Sequence, residues 1–206
     1  MNISLTLRDY LSYIFAGTVL LLAIFFFDKS CNHSYLWNTL KNSTKLISLI
    51  LLIGGYYLGY LSNVIMTYLY GAPYKDTLKN ENMYGLDITF IQNLKKKLNE
   101  KWGKNFYNDT NSNILYLCWQ DIQSTEHRGI AQIYRIISLR NFCVSSILPL
   151  GLLGFSLWIS GHFIIAPIVF FMLYIMNYAK KNQEKYFVQS IYRIWYVQHE
   201  KFRLKG

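Results

Sequence analysis

The side chains most able to do chemistry in this sequence lie inside a long apolar stretch. Tyr60, Asn63 and Thr67 follow one another at i, i+3 and i+7, which places their polar groups on one face of a helix. Such a face could line a path for ions, or bond to a neighbouring helix. Gly55 and Gly59 precede it with the GxxxG spacing that lets two membrane helices approach closely. We interpret these five residues as pore-lining or helix-packing candidates.

A second group of candidates is a cluster of lysines in the middle of the chain. Lys95, Lys96, Lys97 and Lys101 surround the apolar side of one predicted helix, and Trp102 follows them. Cationic side chains beside an aromatic ring suit phosphate and base contacts, so a nucleic acid or a nucleotide could bind here. A solvated helix face, or attraction to anionic lipid, explains the same pattern.

Arg128 and Arg135 on the next predicted helix complete the ligand-binding or partner-binding candidates. Glu126 and His127 are adjacent, and neighbouring residues on a helix point about 100° apart, so they are not placed for joint acid–base work. The three cysteines lack paired spacing and the four histidines are scattered. We therefore expect no catalytic residue, no metal site and no cofactor.

The elements that position these residues are predicted from three stretches without a charged residue. They cover residues 10–27, 46–74 and 141–179, and are 18, 29 and 39 residues long. One helical crossing of a bilayer takes about 20 apolar residues, so the first two fit one crossing each and the third fits two. The Ser-Gly-His sequence at 160–162 predicts a tight turn between these two. The predicted fold is an all-α polytopic membrane protein with four transmembrane helices.

Outside the apolar stretches, the spacing of apolar residues predicts further helices. A helix over 88–102 is capped by Asp87 and ended by Gly103, and the short run at 114–122 fits either a helix or a strand. No breaker separates the helix after Ser124 from the third span. The chain is thus predicted to have four parts. Residues 1–74 contain two spans, at about 10–27 and 46–70, with a short external loop between them. They are followed by a cytosolic helical insert at 75–140, a transmembrane hairpin at 141–179 and a cytosolic amphipathic tail helix at 180–206.

The basic residues predict the orientation of these spans. Of the 21 Lys and Arg residues, 18 lie in the N-terminal segment, the insert and the tail, which four crossings put on one side. Short cytoplasmic segments are enriched in such residues, so both termini are expected to be cytoplasmic in an inner (plasma) membrane. Cys31 is then external and Cys118 cytosolic. The net charge of +10 follows from the same asymmetry.

The four-span layout, the hairpin at 142–178, the basic insert at 75–140 and the helical tail resemble a class of bacterial defence proteins. These are the small membrane accessory and effector proteins of anti-phage immunity, such as four-span CRISPR-associated accessory proteins and the membrane subunit of the Kiwa system. The resemblance implies a homo-oligomer that senses a cytosolic signal and perturbs the membrane, or that anchors a cytosolic protein partner.

Three functions remain open at this point. The first is a homo-oligomeric, pore-forming or membrane-perturbing effector, in contact with membrane lipids and controlled by a cytosolic signal or partner. The second is a non-conducting membrane anchor or scaffold for a cytosolic enzyme. The third is a membrane-embedded enzyme, which would need a polar constellation that the sequence does not display.

Overall fold

A computed structural model describes residues 7–31, 50–70, 85–103, 113–125 and 129–203. Within these ranges the chain is helical apart from short turns, and no strand occurs, so the all-α prediction is confirmed. The helices are α1 (Leu7–Ser30), a π-helix (Ile50–Gly54) that leads into α2 (Gly55–Tyr70), α3 (Ile88–Trp102), α4 (Asn113–Ser124), α5 (Ile130–Ile159) and α6 (Ile165–Arg203).

The chain divides into two compact units. The first unit comprises residues 1–71 and 138–181, and the second comprises residues 72–137 and 182–206. α5 and α6 therefore each contribute residues to both units. Gly161, with a φ of 80°, lies in the turn between α5 and α6. That backbone conformation favours glycine, because a side chain would be strained there.

Two described helices are long and apolar enough to cross a membrane, where the sequence analysis predicted four. They are Tyr10–Ser30 and Ile130–Ile159. Within the second apolar stretch, the described residues 50–70 form the π-helix and the 16 residues of α2. The uncharged part of α6, residues 165–179, is 15 residues long and ends at a lysine pair. Neither α2 nor the uncharged part of α6 reaches the roughly 20 apolar residues that one crossing takes.

The closest helix contact in the first unit joins the backbones of α1 and α2. A Cβ atom on Gly17 would lie 1.7 Å from the Gly55 carbonyl oxygen, and one on Gly59 would lie 1.9 Å from the carbonyl oxygen of Tyr13. Only glycine fits at Gly17 and Gly59, and without side chains there the two helices touch directly. Gly55 and Gly59 belong to the motif seen in the sequence. Gly17 and Tyr13, their counterparts on α1, were not singled out.

A proline inside α5 creates a second specific contact of the first unit. Pro149 has no N–H, so the carbonyl of Ser145, four residues earlier, loses its helical donor. The hydroxyl of Ser62 on α2 donates a hydrogen bond to that carbonyl oxygen at 2.8 Å. Ser62 and Ser145 are both buried, so this bond supplies a partner where water has no access.

The first unit buries small and hydroxyl-bearing side chains beside two small apolar clusters, and it exposes many large apolar side chains. Ala16 and Ser145 are inaccessible, whereas Tyr57 on α2 and Phe171 on α6 are 67% and 63% exposed. A soluble protein rarely leaves contiguous apolar surface of this kind uncovered. Packing through small residues, with large apolar residues outside, is typical of helices that associate within lipid.

The second unit has an apolar core built from four helical segments. α3, α4, the first turns of α5 and the last turns of α6 contribute to it. The run at 114–122, left open between helix and strand, belongs to α4. The fully or almost fully buried members of this core are Ile91, Leu94, Leu98, Ile114, Cys118, Ile122, Ile133, Val188, Ile191, Tyr192 and Trp195.

The ends of α3 lie where the sequence predicted them. Asp87 precedes the first residue, but its carboxylate accepts a hydrogen bond from the Thr89 hydroxyl and makes no side-chain bond to the backbone of the first turn. Gly103 adopts the left-handed conformation with a φ of 62°, and its N–H donates to the Asn99 carbonyl oxygen at 2.9 Å. A glycine at this position is the usual helix stop.

The contact made by Ser62 predicts a mutational coupling. Ser62→Ala should lower the free energy of unfolding by about 1–3 kcal/mol, because it leaves the Ser145 carbonyl buried without a donor. Pro149→Ala restores a helical N–H for the same carbonyl. In that background Ser62→Ala should cost clearly less, as a double-mutant cycle on unfolding in detergent would measure.

Ser156→Ala is the matched control for this cycle. The Ser156 hydroxyl donates to the Leu152 carbonyl of its own helix at 2.8 Å, and no proline removes that carbonyl's helical donor. Ser156→Ala should therefore lower the free energy of unfolding by less than Ser62→Ala does. An equal cost of Ser62→Ala with and without Pro149 would contradict the proposed role of the bond.

Candidate functional site

The polar candidates of α2 meet α1 at Tyr13. The Nδ2 group of Asn63 donates to the Tyr13 hydroxyl oxygen at 3.4 Å, and the rings of Tyr13 and Tyr60 meet edge-on with centroids 5.8 Å apart. Thr67 is exposed and belongs to neither contact. The structure thus brings Tyr60 and Asn63 together through an α1 residue that the sequence analysis did not single out.

One hydrogen-bond acceptor of this cluster has no donor among the described residues. The Oδ1 atom of Asn63 is buried, and it accepts no hydrogen bond from any residue in the described ranges. An amide oxygen in that state costs free energy, on the order of 1–3 kcal/mol. The Oδ1 atom of Asn177, on α6 of the first unit, is in the same state, whereas the hydroxyls of Ser146 and Ser156 each donate to a carbonyl of their own helix at 2.8 Å.

Part of the lysine cluster of α3 contacts α6, and part of it is exposed. The Nζ atom of Lys97 lies 3.6 Å from the centroid of the Tyr196 ring and 4.0 Å from a carboxylate oxygen of Glu200, both on α6. Lys101 also turns towards α6, whereas Lys96 is exposed. A ligand of the whole cluster would have to compete with contacts inside the unit.

The remaining basic candidates do not form one patch with these lysines in the described residues. Lys95 is half-buried, and Arg135 is exposed on the second unit's part of α5. Arg128 lies outside the described residues. Of the partner-binding candidates that the structure describes, Lys96, Lys101 and Arg135 are exposed, and Lys101 is held by contacts to α4 and α6.

Asp121 is the centre of a charged network in the second unit. Its Oδ2 atom accepts hydrogen bonds from Lys101 Nζ at 2.5 Å and from the indole N–H of Trp195 at 2.7 Å. The Nε2 atom of His199 lies 3.3 Å from the same oxygen. The side chains of Asp121 and His199 are each 19% exposed. The network joins α3, α4 and α6 through one carboxylate.

The contacts of His199 to Trp195 and Lys101 favour a neutral ring with its proton on Nδ1. Its Nδ1 atom lies 2.8 Å from the Trp195 carbonyl oxygen, and its ring stacks on the Trp195 indole with centroids 4.2 Å apart. A carbonyl only accepts, so Nδ1 carries the proton. Nε2, 2.8 Å from Lys101 Nζ, then accepts from the ammonium. A proton on Nε2 would collide with that donor.

Burial is the main cause that lowers the pKa of His199 below its ordinary value. The ammonium groups of Lys101 and Lys97 lower it as well, whereas the bond to the Trp195 carbonyl and the Asp121 carboxylate raise it. The neutral imidazole is thus the form that the folded second unit prefers. Because the Lys101 ammonium and the Asp121 carboxylate bond to each other, this network connects the helices that carry them.

The sequence analysis missed this network because its members are far apart in the chain. Asp121 and His199 carry no motif, and the sequence treated the histidines as scattered. The one local signal is the spacing of Trp195 and His199, which lie four residues apart on one helix and therefore on one face. Lys101, one of the partner-binding candidates, is the member that the sequence did single out.

No metal site is formed in the part of the chain that the structure describes, since no three His, Cys, Asp or Glu side chains lie close enough to hold an ion. No protein-family model, no curated protein and no solved structure matches this chain. The function is therefore inferred from the residues and their geometry.

The Asp121 network predicts a pH-dependent stability. The unfolded chain protonates His199 near its ordinary pKa of about 6.5, whereas the folded pKa is lower. Between these values the unfolded state binds more protons, so stability rises with pH. The contribution of His199 to the free energy of unfolding is present above about pH 6.5, and it is lost as the pH falls through the lowered pKa of the folded state.

Thermal unfolding in detergent between neutral and mildly acidic pH would measure this loss. His199→Phe keeps an aromatic ring beside Trp195 and removes the titration, so it should flatten the decline in Tm. His162→Phe, in the first unit and outside the network, is the control and should keep the wild-type decline. A His199→Phe protein whose Tm falls with pH as steeply as wild type would refute the assignment.

Proposed function

We propose that the protein is a four-span protein of a bacterial inner membrane that acts as a homo-oligomer and is controlled by a cytosolic signal or protein partner. The observation that supports this most is the difference between its two units. The first exposes large apolar side chains around buried serines and glycines, whereas the second has a soluble-type apolar core. Lipid suits the first surface and water suits the second.

The proposed topology has four spans, with both termini and the second unit on the cytoplasmic side. Besides the two long apolar helices, the π-helix with α2, and the uncharged residues 163–179 that include the start of α6, form the other two crossings. The support for this sidedness is the position of 18 of the 21 basic residues. Anionic lipid of the inner leaflet would attract the same residues.

The proposed action is to open a polar path through an assembly of several copies. Tyr60, Asn63 and Thr67 are the candidate lining residues. Asn63 has a buried amide oxygen without a donor among the described residues, and Tyr60 and Thr67 are exposed on the same helix. A group that is unsatisfied within one chain gains a partner if another copy, or water in a pore, faces it.

A non-conducting anchor for a cytosolic enzyme is the second candidate function. It is favoured by the buried hydroxyls of Ser62, Ser146 and Ser156, each of which donates to a helix carbonyl inside the chain and is therefore not available to line a path. The Asn63 amide is then a helix-packing group held by Tyr13. A membrane-embedded enzyme is the least supported alternative, since the apolar stretches 10–27, 46–74 and 141–179 contain no Asp, Glu, Lys or Arg.

The resemblance to small membrane proteins of anti-phage immunity supplies the proposed biological setting. In such a setting, a defence protein responds to infection through a cytosolic cue and changes the membrane. The exposed cations Lys96 and Arg135 of the second unit are candidate contacts for an acidic partner.

Asn63→Leu separates the two candidate functions. Purified protein should have the mass of a homo-oligomer of at least four copies by native mass spectrometry, and should pass ions in liposomes. Asn63→Leu removes the amide from the proposed lining, so flux should fall at least about tenfold while the oligomer mass is kept. Val64→Leu, on the exposed side of the same turn, is the matched control and should leave flux unchanged.

Two results would contradict the pore. A monomer or dimer provides no closed ring around a path, and a flux that Asn63→Leu leaves unchanged does not pass this residue. Either result would favour the anchor.

A further inference from the structure

A polar groove in the second unit carries a further inference about ligand binding. Its cavity is about 310 Å³, at the small end of the range of ligand pockets. One wall is Gln132 of α5. The other is a single face of α6, where the lining residues recur at i, i+3, i+4, i+7 and i+8. These are Tyr186, Gln189, Ser190, Arg193 and Ile194.

The groove depends on a close approach of the chain before α5 to α6. A Cβ atom on Gly129 would lie 2.6 Å from the Cδ1 atom of Ile194, so a side chain there would displace the groove wall. Gln189 is buried, and its Nε2 group donates to the Gly85 carbonyl oxygen at 3.4 Å. One side of the groove is thus held in place by packing and by a hydrogen bond.

Arg193 gives the groove its charge. It is exposed, and no described carboxylate lies within ion-pair distance of it. An unpaired guanidinium at the edge of a cavity presents a fork of donors that fits a phosphate group. It is the single cation among the groove-lining residues in the described ranges, which matches one phosphate better than a polyphosphate.

The other lining groups suit a planar, hydrogen-bonding ring. Tyr186 is 52% exposed, so its aromatic face is open to stacking. The amide of Gln132 and the hydroxyl of Ser190 can each donate and accept. We propose that this groove is a binding site for a nucleoside monophosphate, with the phosphate at Arg193 and the base against Tyr186.

This site goes beyond the proposed function, and its test is independent of that function. The groove is formed within the second unit alone, so binding does not depend on the number of spans or on conduction. If the function proposal also holds, the nucleotide is a candidate for the cytosolic signal. A failed binding assay would refute the groove, and a failed flux assay would refute the pore.

Calorimetric titration of the full-length protein in a phosphate-free detergent tests the site, with AMP and inorganic phosphate as probes. Wild type should bind AMP saturably and more tightly than phosphate. Arg193→Gln should weaken AMP binding by about tenfold or more. Lys181→Gln removes a positive charge from an exposed position of α6 that does not line the groove, and should bind as wild type does.

Tyr186→Leu tests the base contact separately. It should weaken AMP and leave phosphate binding unchanged, because it removes the ring and keeps the guanidinium. Unfolding curves of each variant establish that it is folded. The site is refuted if wild type does not bind AMP, if Lys181→Gln weakens AMP binding as much as Arg193→Gln does, or if phosphate binds as tightly as AMP.

Discussion

The need to give the buried backbone carbonyls of a broken helix a hydrogen-bond donor without water is the constraint on which the first unit depends. Pro149 withdraws a helical donor from the Ser145 carbonyl, and Ser62 of another helix supplies a replacement at 2.8 Å. A helix-breaking residue in a bilayer is tolerated only when a neighbour restores the lost bond in this way. That bond orients α2 against α5, and the glycine contacts orient α2 against α1.

The second unit is stabilised differently, by an apolar core to which four helical segments contribute. Within that unit, the Asp121 carboxylate fixes the register of three helices by binding Lys101 and Trp195. His199 stays neutral beside them. α5 and α6 contribute to both units, so one pair of helices carries small-residue packing in one part and a conventional core in the other.

The sequence was sufficient where a rule acts within a few residues. Helical spacing and Gly103 predicted α3, and the GxxxG pattern marked Gly55 and Gly59. It was insufficient where the partner lies on another helix. Nothing in the spacing of residues pairs Pro149 with Ser62, or Asp121 with the tail of α6, because such pairs arise only from tertiary packing. Apolar length likewise predicted four spans, although two described helices satisfy the criterion for crossing.

Sided cysteine labelling tests the central claim, that the first unit lies in lipid and the second in the cytoplasm. Cys118 is fully buried, and burial raises the pKa of its thiol, so it is a poor reporter. Single-cysteine proteins carrying exposed Cys31, Lys96→Cys or Leu61→Cys replace it. An impermeant maleimide should label Cys31 in intact cells, Lys96→Cys only after permeabilisation, and Leu61→Cys only after denaturation. The account would be contradicted if Lys96→Cys were labelled in intact cells. It would also be contradicted if Leu61→Cys were labelled in permeabilised cells as fast as Lys96→Cys.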